Sequence, residues 1–290
     1  MTPAVLDSAW LRRHPLPQHP EGTDKNSRGR VMLVGGSLTV PGGLLLTAEA
    51  AFRAGAGKVQ LALPEPLAIP SGIAMPESSV FALPVSDEGE IAGLGTLPDR
   101  ITCCDCVAIG PAMASTSAAG AVLDGLLPVA SGPPVILDAA AVSASADRHD
   151  ALAALPGGAI LTPHVGEMAA LTGLEPEDIE ARREEVAVDH AARLRAVLLI
   201  KGTTTVIASP DGELAVYGGG GVGLATGGSG DVLTGLIAGL CARGLPAWEA
   251  VCWGVWLHGE AGRRLSERMG SMGFLARDLP GEVPALMRGI

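Results

Sequence analysis

Aromatic side chains are scarce in this sequence of 290 residues, which holds three Phe, one Tyr and four Trp. Basic residues are scarce too: 20 Lys and Arg face 31 Asp and Glu, for a formal net charge of -11. Nucleic-acid partners need a clustered Lys/Arg footprint, so this balance excludes a nucleic-acid surface and requires any anionic ligand to be held by local geometry. Long apolar runs are lacking as well. The longest, such as 232 to 242, are interrupted by glycine and fall short of the roughly 20 residues that cross a bilayer, which gives no indication of a membrane role. Asp7, Arg12, Arg13 and several prolines break up the first twenty residues. No secretory signal is therefore expected, and a cytoplasmic setting is. The five cysteines are an odd number, and Cys103, Cys104 and Cys106 have no second Cys/His pair at zinc spacing. They read as free thiols in a reducing compartment. No G-x-x-x-x-G-K-[ST] motif occurs. The GGGGVG at 218 to 223 opens no helix and reads as a loop rather than a dinucleotide fingerprint.

What is abundant is small and aliphatic: 48% of residues are hydrophobic and 40 are glycine. That composition suits closely packed α/β layers with tight strand-to-helix turns. After a lead-in over 1 to 28, with a short helix near Val5 to Arg12, apolar β-type runs alternate with Ala/Leu-rich helical stretches. Strands are expected near 31 to 35, 58 to 63, 106 to 109, 134 to 138, 158 to 161 and 197 to 201, followed by a hairpin-like pair at 204 to 208 and 213 to 217. Helices are expected at 43 to 54, 116 to 127, 165 to 172 and 177 to 195, with two long ones, 230 to 242 and 247 to 267, closing the chain. Continuous apolar strands separated by helices imply a largely parallel sheet covered on both faces, in a single domain over 29 to 290. Ligands then gather at the carboxyl ends of the strands.

Three segments carry chemistry at those ends. In GGSGDVLTG the amides of residues 227 to 231 fall at a helix N-terminus, where they lack intrahelical acceptors and the dipole is positive. Such a place binds phosphate, and the glycines let it approach the backbone. Asp231 as a plain cap would add about 1 kcal/mol, but a cap leaves glycines at 227, 228 and 230 unexplained. A carboxylate beside an anion hole makes sense as a general base that deprotonates an attacking hydroxyl, worth about 10²- to 10⁴-fold in rate. In VLLIKGTTTVI, Lys201 and Gly202 end a strand and are followed by Thr203, Thr204 and Thr205. This set of cation, hydroxyls and amides suits polyphosphate, though a lysine at a strand end can equally face solvent. In ILTPHVGEMAAL, His164 and Glu167 share the first turn of a helix. They form either a cap or a contact to ligand and to a water-coordinated cation.

Taken in order, RGRVMLVGGS, GAGKVQLALP, AIGP, VILDA, ILTPHVGE, LIKGTTT and LATGGSGDVLTGLIAGL resemble the NAD(P)H-hydrate dehydratases, a branch of the ribokinase-like superfamily. The likeness extends over about residues 25 to 287. It implies a ribokinase-like three-layer α/β/α sandwich and the repair of hydrated NADH or NADPH at the expense of ADP or ATP, with magnesium. It implies that Asp231 meets the 6-hydroxyl of the hydrated ring and that His164, Gly43 and Gly110 line the substrate pocket. Lys201, Gly202, Thr203, Thr204 and Thr205, with Gly227, Gly228, Ser229 and Gly230, would hold the adenine nucleotide, and Glu167 would meet the metal through water. A homotetramer is implied as well, with the apolar C-terminal helices as a candidate interface. The epimerase domain often fused ahead of such a dehydratase is not expected in this chain.

The sequence also departs from the family pattern. Where the family usually reads GPGLG, this chain has Gly110, Pro111, Ala112, Met113 and Ala114; where the family tends to have Gly-Ala, it has Gly42 and Gly43. A second family acid falls in the stretch Asp138 to Ala141. DKNSRG stands for a His-Lys-Gly-Asp segment and retains only Lys25 and Gly29. Two other functions share the same motifs: a ribokinase-like kinase of a small alcohol such as a vitamin precursor, and a nucleotide-binding protein without turnover.

Overall fold

The computed structural model describes residues 2–290. Ten strands form one sheet: β1 (Ala4–Val5), β2 (Arg30–Val34), β3 (Lys58–Pro64), β4 (Ser79–Leu83), β5 (Cys106–Ile109), β6 (Val135–Leu137), β7 (Ala159–Leu161), β8 (Ala196–Ile200), β9 (Thr205–Ala208) and β10 (Leu214–Tyr217). Their order across the sheet is β1-β10-β9-β8-β7-β6-β5-β2-β3-β4. Every pairing is parallel except β8 with β9 and β9 with β10; the second of these is the hairpin expected from the sequence. The strands are apolar without interruption because both faces are covered. Val31 and Leu33 enter one core while Met32 and Val34 enter the other, and Cys106 and Ala108 are separated from Val107 and Ile109 in the same way. That period of two sorts each strand into the two helical layers of an α/β/α sandwich.

One layer is built on the helices Gly43–Arg53, Ser229–Ala242 and Ala247–Met269. The first two touch backbone to backbone: a methyl at Gly235 would strike the Thr47 carbonyl, and one at Gly239 the Ala51 carbonyl. This contact fixes the start of helix Ser229–Ala242 relative to the strand ends.

Several elements differ from expectation. The first residues are more than a lead-in. β1 adds to the sheet edge along β10, and Trp10 and Leu11 of helix Ser8–Arg13 are buried, with Trp253 Nε1 donating to the His14 carbonyl at 2.7 Å. β4 and the helices Glu65–Ala74 and Leu279–Arg288 were not anticipated. Both helices carry two prolines, one in the first turn and one inside; proline weighs against helix locally, but the first-turn position loses no hydrogen bond. The C-terminal helices do not present a free apolar face. Val251, Trp253, Leu257, Leu265, Val283 and Leu286 are spent in the chain's own core. Among the described residues, no helix is long and apolar enough to cross a membrane.

Candidate active site

The segments singled out in the sequence meet at the carboxyl ends of β2 and β5 to β8. Gly35 and Gly36 follow β2, Gly110 to Met113 follow β5, Asp138 follows β6, Thr162 to His164 follow β7, and Lys201 follows β8. Gly110 has φ of +112°, and any side chain there would run into the Asp138 carbonyl. Only glycine lets β5 and β6 end this close together.

Helix Ser229–Ala242 points its N-terminus into this cluster. Gly228 caps it at φ of +87°, and Val232 opens the helical ladder by donating to the Gly228 carbonyl at 3.1 Å. The Ser229 amide bonds Thr226 at 3.2 Å, which leaves the amides of Gly228, Gly230 and Asp231 without helical acceptors. Ser229 is buried, and its hydroxyl lies 2.9 Å from His258 Nε2, which also lies 3.1 Å from the Ser229 carbonyl. The side chain of Ser229 is thus turned to His258, and its amide and carbonyl are both already partnered. Burial pushes His258 down to about 4, against the opposing bond to Ser229, so the imidazole is neutral and acts as a fixed partner for this turn.

Asp231 is partly buried in the first turn of this helix. Burial raises its carboxyl from the ordinary 3.8 to about 7, the negative charge of Asp138 adds to the rise, and the Ala112 amide and Lys201 oppose it. A carboxylate poised near neutral pH is what a general base requires.

Lys201 is held from behind. Its amide donates to the Pro163 carbonyl at 2.8 Å, and an isolated parallel bridge pairs it with His164 three positions beyond the last β7–β8 pair. Its Nζ lies 3.1 Å from Asp138 Oδ1 and 3.6 Å from Glu167 Oε2, and a methyl placed on Gly230 would touch it at 3.5 Å. Burial disfavours the ammonium, yet Asp138 and Glu167 outweigh it and the net shift is upward. Lys201 therefore stays cationic beside the amides of the helix start. Asp138 also accepts from the buried Thr162 hydroxyl at 2.6 Å.

His164 and Glu167 form the capping alternative read from the sequence. His164 Nδ1 accepts from the amides of Gly166 and Glu167 at 3.0 and 3.2 Å, and Glu167 Oε2 accepts from the His164 amide at 2.8 Å. With Nδ1 accepting, a neutral ring carries its proton on Nε2, which lies 3.3 Å from Glu167 Oε1, and the side chain remains 58% exposed. Capping and ligand contact are thus compatible. Gly202, Thr203 and Thr204 form an exposed loop, while Thr205 begins β9. Arg183, which sequence reasoning missed, reaches this loop and donates to the Thr204 carbonyl at 2.6 Å.

Among the described residues, no three His, Cys, Asp or Glu gather as a metal site. Cys104 is pushed up to about 11 by burial, and Cys106 lies well above its ordinary value for the same reason; neither is a ready thiolate. Asp138, Thr162 and His258 were not assigned roles from sequence. For Asp138 the available signal was its place directly after the apolar run VIL; for His258, in the middle of the long helix Ala247–Met269, there was none.

Comparison with known proteins agrees with this geometry. An ADP-dependent (S)-NAD(P)H-hydrate dehydratase of Xanthomonas campestris pv. campestris is 45% identical over 284 residues, 98% of this chain and 96% of the relative. The crystal structure of the ADP/ATP-dependent NAD(P)H-hydrate dehydratase of Bacillus subtilis, co-crystallised with ATP and Mg2+, aligns with a TM-score of 0.79 at 30% identity over 97% of both chains. A ribokinase-like superfamily protein of Enterococcus faecalis aligns with a TM-score of 0.84 at 26% identity, over 99% of this chain and 95% of the other. The family model described as NAD(P)H-hydrate dehydratase matches residues 31–285, and this chain belongs to that family.

Proposed function

We propose that the protein restores NADH and NADPH from their 6-hydroxylated hydrates by nucleotide-dependent dehydration, with ADP as the phosphoryl donor. The observation that carries the reading is Asp231, a carboxyl near neutral pKa set among unpaired amides and beside Lys201. Hydroxide is a poor leaving group. Asp231 takes the proton of the ring 6-hydroxyl as its oxygen attacks the terminal phosphoryl group, and the nucleotide leaves one phosphate shorter. The ring nitrogen lone pair then expels inorganic phosphate from C6, and the loss of a proton from C5 to solvent closes the ring double bond and regains the dihydronicotinamide. Amides of Gly227, Gly228, Gly230 and Asp231 receive the charge of the group in transit, with Lys201 as the fixed cation. Gly202 to Thr205 continue the nucleotide side, whereas His164, Gly43 and Gly110 line the substrate side.

A magnesium ion fits this arrangement only as a passenger of the nucleotide. Asp138 and Glu167 both bear on Lys201 and build no cage, and magnesium favours phosphate oxygens with water. Glu167 is the residue that would hold it, through water, and the ion would supply charge neutralisation on the phosphates. A cytoplasmic homotetramer belongs to the same proposal by family resemblance.

The test is recovery of NADH absorbance when purified protein meets hydrated NADH, magnesium and either ADP or ATP. Recovery with ADP is expected. A stable phosphorylated product without NADH would make the protein a kinase, and no reaction with either nucleotide would overturn catalysis altogether.

A further inference from the structure

The connection from β8 to β9, residues 201 to 204, leaves amides of its own unused. Among the described residues no backbone carbonyl accepts from the amides of Gly202, Thr203 or Thr204, so no turn hydrogen bond within the loop fixes its shape. Three free amides beside Lys201 suit an anion, but only if the carbonyls of the loop are kept off the same side. Arg183 does this. Its Nη1 donates to the Thr204 carbonyl at 2.6 Å, and its Nη2 is bound by Glu180. A trans peptide sends its carbonyl and the following amide in opposite directions, so a Thr204 carbonyl turned to Arg183 turns the next amide away from it. The guanidinium also fills the space beside Gly202: a methyl built there would strike Nη1 and lie 2.9 Å from Cζ and Nη2. Glycine at 202 thus admits Arg183. The clamp is anchored behind the loop, for Arg183 opens the helix Arg183–Leu194, whose Val186 and Ala187 are buried, and its side chain is only 12% exposed.

We infer that Arg183 is a positioning residue for nucleotide binding, which keeps the amides of loop 202 to 204 available by taking the Thr204 carbonyl and lying against Gly202. This rests on the reading of residues 202 to 205 as the nucleotide side. The work belongs to the planar fork of the guanidinium and not to its charge. A lysine at 183 keeps a cation but has no flat group to lie on Gly202 while reaching Thr204 and Glu180 in separate directions. Without the fork the loop takes other conformations, and apparent affinity falls by the fraction that stays competent. Asp231 and the substrate side are carried by other elements, so the loss falls on one ligand.

Four proteins test it: the parent, Arg183→Lys, Arg183→Met and Arg182→Gln. Arg182 is the neighbouring exposed arginine, paired with Glu185 at 3.5 Å, a surface contact of little energetic weight, and its variant is expected to match the parent. Titration calorimetry gives the affinity for ADP without turnover, recovery of NADH absorbance gives kcat and the KM for each ligand, and melting curves report folding. Both Arg183 variants are expected to bind ADP about tenfold more weakly, the order lost with one charge-assisted hydrogen bond, while kcat at saturating ADP and the KM for hydrated NADH stay within about twofold of the parent. Should Arg183→Met fail to fold, Arg183→Lys carries the test alone. Parental ADP affinity in Arg183→Lys, a fall in kcat with the KM for ADP unchanged, equal losses for both ligands, or failure of both variants to fold would overturn the inference. Hydrogen exchange of the parent with and without ADP separates the two claims. Amides 202 to 204 that gain no protection from ADP defeat the nucleotide reading of the loop, whereas protected amides beside an Arg183→Lys that binds ADP like the parent defeat only the role of Arg183.

Discussion

Replacing Asp231 by asparagine should cost activity and add stability, and the two effects have different pH dependences. Asn keeps the size and the hydrogen-bond acceptor but carries no charge. In the folded protein the Asp231 carboxyl is raised from 3.8 to about 7, chiefly by burial and then by the charge of Asp138. Between those two values the folded state holds a proton that the unfolded chain has released. The contribution to stability is complete below about pH 4 and is lost as pH rises through about 7, because unfolding would then free a carboxylate from an unfavourable site. A rise of about three units corresponds to roughly 4 kcal/mol at 1.36 kcal/mol per unit. This is a ceiling, since the side chain is only partly buried and water screens it. At roughly 2–4 °C per kcal/mol for a chain of this size, Asp231→Asn should melt up to about 10 °C above the parent at pH 8.5, with the gap closing toward pH 4.5. The same variant should lose at least about a hundredfold in kcat/KM. Melting curves across that pH range, paired with recovery of NADH absorbance, measure both. A variant no more stable than the parent at pH 8.5, or a gain that is the same at every pH, would refute the claim that a strained carboxylate occupies this position.

Two further predictions concern the partners of that carboxylate. Lys201→Met leaves Asp138 and Glu167, 3% and 13% exposed, without their cation; urea unfolding at pH 8 should show a loss of roughly 3 kcal/mol, and an unchanged stability would show that the two carboxylates do not depend on this cation. His258→Ala deprives the hydroxyl and carbonyl of Ser229 of their shared partner, at about 1–2 kcal/mol of stability. Its kinetic effect should fall on the nucleotide KM rather than on kcat for hydrated NADH, and a change confined to kcat would place His258 nearer the chemistry than its contact with Ser229 implies.

Most of the alternation of strands and helices, the largely parallel sheet, the β9–β10 hairpin and the helix that opens at GGSGDVLTG could be read from sequence. Each is written in local pattern: uninterrupted apolar runs for strands buried on both faces, and glycines directly ahead of an apolar helix. What local pattern misjudged were segments whose structure comes from tertiary contact. β1 is two residues long and exists because β10 offers it an edge. The helices Glu65–Ala74 and Leu279–Arg288 form despite two prolines each. The C-terminal helices looked like an interface because apolar faces are visible in sequence, whereas the surface that covers them is not.

For the site, sequence alone named the residues at the strand ends and assigned Asp231 its chemistry from neighbours a few positions away. It did not supply the electrostatics. Asp138, Lys201 and Asp231 are 93 positions apart at the extremes, and only the convergence of β6, β8 and one helix N-terminus puts them within reach of one another. Burial together with the Asp138 charge brings the Asp231 carboxyl near neutrality, and both depend on distances through space. Gly43 and Ala112 are likewise far apart along the chain. Their relation exists only in space: Gly43 opens a helix, Ala112 sits in the loop after β5, and a methyl built on Gly43 would lie 2.5 Å from the Ala112 methyl, a constraint of packing density that no linear pattern records.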